Sequence, residues 1–144
     1  MKDFIALKKN LKKDFSSLKK IKIALLGDTA TQFLSQAIKG LGYDFNYEVE
    51  IFESDFNQVE RQVFDSNSEL YEHQPEVIII FHSTHKWLVK YDKSGSQEQA
   101  QLCESRMELI SNLHNAISSQ LKSKIIYFKV VLINYLVLSV GKAA

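Results

Sequence analysis

Short apolar runs alternating with stretches of helical periodicity constrain this chain more than any other feature of its sequence. Ile21–Leu26, Val49–Phe52, Val77–Phe81 and Ile125–Phe128 have strand length and are rich in β-branched residues. Each pair is separated by enough chain for a helical crossover, which parallel strands need and hairpins do not. Val77–Phe81, apolar at all its positions, reads as the central buried strand. The predicted fold is therefore α/β: a three-layer, flavodoxin-like parallel sheet in the order 2-1-3-4, with helices on both faces. One proline and five glycines in 144 residues agree with long helices and argue against a turn-rich sandwich.

Helical segments are placed by apolar spacing and by start and stop residues. Thr31–Leu41 carries Phe33, Leu34, Ala37, Ile38 and Leu41, with Gly42 as its expected stop. Phe56, Val59 and Val63 mark a second helix, and Ser66 to Glu69 has capping-box spacing ahead of Leu70 and Tyr71. A long helix opens with the same spacing at Ser96 to Gln99 and runs to about Leu121. Its stripe is Ala100, Cys103, Met107, Ile110, Leu113, Ile117 and Leu121, which places Cys103 in the core as an inert thiol. A lone cysteine and an N-terminus without a signal-peptide core point to the cytoplasm.

Charge is unevenly distributed. The total is +1, so bulk electrostatics give no reason to expect nucleic-acid binding. The first 22 residues nevertheless hold eight lysines against Asp3 and Asp14, a balance of +6, which leaves −5 for the rest. Phe4, Leu7, Leu11, Phe15 and Leu18 recur at helical spacing, so residues 1–20 are expected to form an amphipathic helix with lysines outward. The segment after residue 128 is nearly all aliphatic but shorter and more broken than the ~20 residues a spanning helix requires, so no membrane association is expected.

The 2-1-3-4 order makes strands one and three neighbours whose connections leave in opposite directions, and ligands bind in the crevice that this opens at the carboxyl edge. Gly27, Asp28 and Thr29 follow strand one, Ser54 and Asp55 follow strand two, and His82, Ser83, Thr84 and His85 follow strand three. A carboxylate, hydroxyls and two imidazoles are thus expected around one crevice, with Thr29 facing His85. Thr29 to Gln32 also matches a capping box, so its hydroxyl has a structural use as well as a chemical one. Without a further cluster of Cys, His or carboxylates, no metal site is expected.

A strand followed by Gly27-Asp28-Thr29 and a helix resembles the first block of the SGNH hydrolases, where Gly-Asp-Ser presents a nucleophilic serine. Ile23 to Leu34, Gln58 to Asp65, and Ser68 to Tyr71 followed by Pro75-Glu76-Val77 more specifically resemble the N-terminal SGNH-like domain of FkbH-like proteins. That resemblance spans roughly residues 21–128, which is taken as the α/β domain. It implies that Thr29 occupies the serine position as a degenerate nucleophile; a substitute base would have to come from His82 or His85 through a rewired triad. The asparagine block expected after the third strand and the late Asp-x-x-His block are both missing. The reading is therefore a noncatalytic recognition module, with a degenerate esterase as the alternative.

In that family the domain precedes a phosphatase-like HAD domain, whose aspartates bind magnesium and which is associated with loading a glyceryl unit from a phosphorylated three-carbon donor onto an acyl carrier protein. The HAD aspartate motif does not occur in this sequence, so no cofactor is expected here, and magnesium belongs to the domain that is expected to be missing. The partners implied are an acyl carrier protein or the chain's own HAD domain. Residues 129–144 are expected to be either a foreign, self-associating tail left by truncation or a frameshift, or an extra element covering the sheet edge.

Overall fold

A computed structural model of the protein describes residues 2–128. Four strands, β1 (Lys19–Gly27), β2 (Tyr47–Glu53), β3 (Val77–Phe81) and β4 (Lys124–Tyr127), form one parallel sheet in the order β2-β1-β3-β4. The predicted order and direction are therefore those of the protein. Expectations for residues 129–144 lie outside the described residues.

Strand pleat sorts the side chains onto two faces. Ala24 and Leu26 of β1, with Ile78 and Ile80 of β3, pack under α3 (Val59–Phe64), α4 (Glu69–His73) and the second half of α6 (Ser96–Gln120), through Val63, Leu70, Leu113 and Ile117. Ile23, Leu25, Val49 and Ile79 point the other way, toward Leu34 and Ile38 of α2 (Gln32–Asp44). Helices therefore cover both faces. The remaining helix, α5 (Thr84–Lys93), has no buried residue and lies at the carboxyl edge, where it meets the loop after β1.

Several helix boundaries differ from the sequence reading, each for a physical reason. The first helix, α1, is only Phe4–Asn10. Asn10 turns its amide inward, donating to the carbonyl of Gly40 at 2.9 Å and to the Asp44 carboxylate at 3.0 Å, and an Asp14 to Ser16 turn redirects the chain. Phe15 still packs, edge-on to Tyr43 at 5.2 Å, but from a loop. Gly42 does not stop α2; it is buried against Val49, where a Cβ would collide with that valine. The left-handed residue after the helix is instead Asn46, with φ of 63°. Phe56 lies outside α3 and is exposed. The two predicted caps are shifted. Ser68, not Ser66, is the N-cap of α4, and Gly95, its N–H donated to Glu98 at 3.3 Å, precedes α6.

The front half of α6 also faces differently from its predicted stripe. Cys103 is exposed, as are Ala100 and Met107, and the half-buried positions there are Gln99, Leu102, Arg106, Leu109 and Ile110, of which Ile110 alone belongs to the predicted stripe. Only from Leu113 onward does the expected stripe enter the core. The first half borders the carboxyl edge, where α5 and not the sheet is its neighbour.

Gly40 is the contact on which α1 docks, since a Cβ there would fall into the backbone of Leu7. Gly40→Ala should lower stability by about 1–3 kcal/mol, the usual cost of overpacking, and raise amide exchange across residues 4–10 while the β3 amides stay protected. Urea unfolding and hydrogen exchange check this; unchanged exchange in α1 would contradict the docking.

Candidate functional site

The carboxyl edge is organised around Asp28. Its Oδ1 accepts the backbone N–H of Ser83 at 2.7 Å, and its own N–H donates to the carbonyl of Phe81 at 3.2 Å. Ser83 is the N-cap of α5, its hydroxyl accepting from the N–H of Lys86 at 3.4 Å. In a capping box the third helical residue would supply a carboxylate for the N-cap amide. Here that residue is Lys86, and the carboxylate comes from Asp28 across the sheet. The arrangement also sets a negative charge at the positive end of a ten-residue helix.

Lys86 closes the assembly from above. Its ammonium donates to the carbonyl of Asp28 and, at 3.3 Å, to Oδ1 of Asn57, and it lies 4.3 Å from the centre of the Phe56 ring. One lysine thus joins the loops that follow β1 and β2 to α5. Asn57 takes part from a left-handed conformation, φ 59°. Gly27 is required by close approach: a Cβ there would lie 2.7 Å from Cγ2 of Thr31.

The expected constellation is only partly assembled. Asp28 and Ser83 meet, as the topology requires. Thr29 does not join them. Asp28 continues the side of β1 that carries Ala24 and Leu26, whereas Thr29 continues the side of Ile23 and Leu25, so the pleat sends these neighbours to opposite sides. Asp28 lines a cavity of about 270 Å³ between α5 and α6, and Thr29 lines a separate one of about 420 Å³ with Thr31, Glu53, Ser54 and Asp55. Thr29 caps nothing; the N-cap is Thr31, whose hydroxyl donates to the Glu53 carboxylate at 2.9 Å. Ser54 presents a buried hydroxyl without a partner among the described residues. His85 is exposed on the first turn of α5 and lines neither cavity, and Thr84 beside it is half-buried.

His82 is buried, and burial holds its pKa below the usual histidine value, with Arg106 adding repulsion against the partial compensation of Asp28 and Glu60. The imidazole is therefore neutral at pH 7. Among the described residues no group of three metal-ligating side chains converges, and no hydrogen bond joins Thr29 to a histidine.

Sequence reasoning missed Lys86, Lys90 and Arg106, which line the Asp28 cavity. The signal was present as two lysines one helical turn apart flanking Trp87, and as Leu102, Arg106 and Leu109 at i, i+4 and i+7.

Fold and edge geometry together describe an α/β module with a parallel four-stranded sheet and helices on both faces. Residues 22–141 match the family FkbH, N-terminal domain, and the chain belongs to that family. The match runs past Phe128, where the sequence reading ends the resemblance, so most of the apolar tail falls inside the family's domain. A crystal structure of the N-terminal part of the protein BF1531 from Bacteroides fragilis, containing a phosphatase domain complexed with Mg, is similar with a TM-score of 0.78 and 35% identity. The similarity covers 99% of this chain and 43% of that one, so this chain spans less than half the length of that neighbour. No curated protein matches the chain. Among the described residues no helix is long and apolar enough to cross a membrane.

His82 gives the site a pH signature. Its folded pKa lies below its unfolded value of 6.5, so its neutral form stabilises the fold fully above that pH, and the contribution is lost as pH falls toward the folded value. The urea midpoint should drop between pH 7.5 and 5.5, and His82→Gln should flatten that slope; an equal slope in both proteins would contradict the assignment.

Proposed function

We propose that this chain is a noncatalytic recognition module that docks an acidic protein through its lysine-rich N-terminal surface. The observation that carries the reading is the pairing of apolar and basic groups on α1 and α2. Phe4 meets Phe33 edge-on at 5.6 Å, Ile5 and Phe33 are 68% and 71% exposed, and Lys8, Lys9, Lys12 and Lys13 lie on the same segment. Exposed apolar side chains rimmed by one sign of charge suit a partner of opposite charge with its own apolar spots. The family resemblance suggests two such partners: an acyl carrier protein, or a phosphatase-like domain of the kind carried by the Bacteroides neighbour.

The carboxyl edge favours recognition over hydrolysis. Acyl transfer by Thr29 needs a base within hydrogen-bond reach and donors for an oxyanion. The Asp28 carboxylate already accepts from Ser83, and His85 lies outside the cavity that Thr29 lines. An SGNH-like ancestry accounts for the Gly-Asp-Thr turn without a surviving triad.

Two measurements test the reading. Binding to a purified acyl carrier protein should weaken as salt rises from 50 to 300 mM, because exposed charge pairs are screened, and Lys8→Glu with Lys12→Glu should weaken it by about tenfold. Salt-independent binding, or none to either suggested partner, would remove the docking role. On a fluorogenic ester, wild type and Thr29→Ala should share the same background rate; a rate lost only in Thr29→Ala would restore the esterase reading.

A further inference from the structure

We propose that the cavity between α5 and α6 binds a small organic oxyanion with a flat apolar body, its charge held by Lys90 and Arg106 and its body laid against Trp87, Leu102 and Leu109. These side chains line a single concavity of about 270 Å³, somewhat below the size that holds drug-like ligands and suited to a small acid. The site goes beyond the docking surface on α1 and shares no residue with it.

Electrostatics supply the first argument. Lys86 and Lys90 stand one turn apart on α5, where like charges repel, and Arg106 approaches them from α6. Among the described residues none of the three forms an ion pair. Asp28 is the one carboxylate lining the cavity, and one of its oxygens already accepts from Ser83. Lys86 is held by the Asp28 carbonyl and Asn57, so Lys90 and Arg106 are the cations left to meet a ligand, and the net charge of the concave wall is still positive, which concentrates an anion there. Arg106 is half-buried and offers a planar fork of donors that matches a carboxylate or phosphate.

The apolar wall supplies the second. Leu102 and Leu109 face the cavity from the same side of α6 as Arg106; both are half-buried, and Leu109 packs with its other side against the core cluster. Trp87 is half-buried and stacked on Tyr91 at 5.2 Å with the planes 22° apart, which steadies the indole. A flat apolar group beside the bound charge would cover these three side chains. Thr29 lines a different cavity, so this site is separate from the residue that resembles the SGNH serine position.

Trp87 is the chain's one tryptophan, so its fluorescence reports on the cavity directly. The full 144-residue chain is titrated at constant ionic strength with phenyl phosphate, benzoate, inorganic phosphate and neutral phenol. Phenyl phosphate or benzoate should change the emission saturably, and whichever binds more tightly identifies the preferred oxyanion. Inorganic phosphate and phenol should each bind more weakly than the better acid. Lys90→Gln and Arg106→Gln should each weaken binding about tenfold or more, while Lys122→Gln, remote from the cavity, should not. Lys90 is exposed, so its variant keeps the test valid if Arg106→Gln fails to fold. The proposal is overturned if neither acid gives a saturable change, if phenol or inorganic phosphate binds as well as the better acid, or if Lys90→Gln binds like wild type.

Discussion

A carboxylate that caps a helix belonging to the next strand over holds the carboxyl edge of this protein together. Asp28 leaves β1 and accepts the N–H of Ser83, which opens α5 after β3. A hydrogen bond from an amide to a charged acceptor contributes about 1.5–3 kcal/mol, more than an exposed ion pair, and here it acts between loops distant in sequence. Lys86 adds the opposite half of the exchange by returning its ammonium to the Asp28 carbonyl. Two strands thus share one cap. These bonds tie the start of α5, and one wall of the cavity it forms with α6, to the loop after β1.

The same geometry separates Asp28 from Thr29. These two neighbours in sequence line different cavities. The Gly-Asp-Thr turn keeps its shape because Gly27 admits the close approach of Thr31. Within it Asp28 organises α5, and the cap of α2 falls to Thr31. That division agrees with the proposed role as a recognition module and leaves the positively lined cavity beside α5 as the place for a small ligand.

Much of the fold was legible in the sequence, because the apolar runs of the central strands β1 and β3 are buried on both faces and each crossover is long enough to be helical. Strand order and direction follow from that pattern. Elements set by tertiary packing were not legible. Gly42 looks like a stop until Val49 is seen against it, and Phe15 keeps an apolar position past the end of α1 because its ring packs on Tyr43 of α2 from a loop. Cys103 was placed in the core because its stripe continues Leu113 and Ile117, but the first turns of α6 extend beyond the sheet and face α5. Of the candidate site, Asp28 and Ser83 were placed together correctly from topology. The separation of Thr29 was implicit in the period-two pleat of β1, and Lys86 was hidden because a lysine after a strand reads as surface.

The account depends most directly on the bond between Asp28 and Ser83, and the Ser83 amide proton reports on it. In wild type this amide should resonate downfield and exchange slowly, and in Asp28→Ala it should move upfield and exchange at least about tenfold faster, while the Ile79 amide in the core of β3 is unchanged. A Ser83 amide with the same shift and protection in both proteins would mean that Asp28 does not cap α5, and the shared-cap architecture would be wrong.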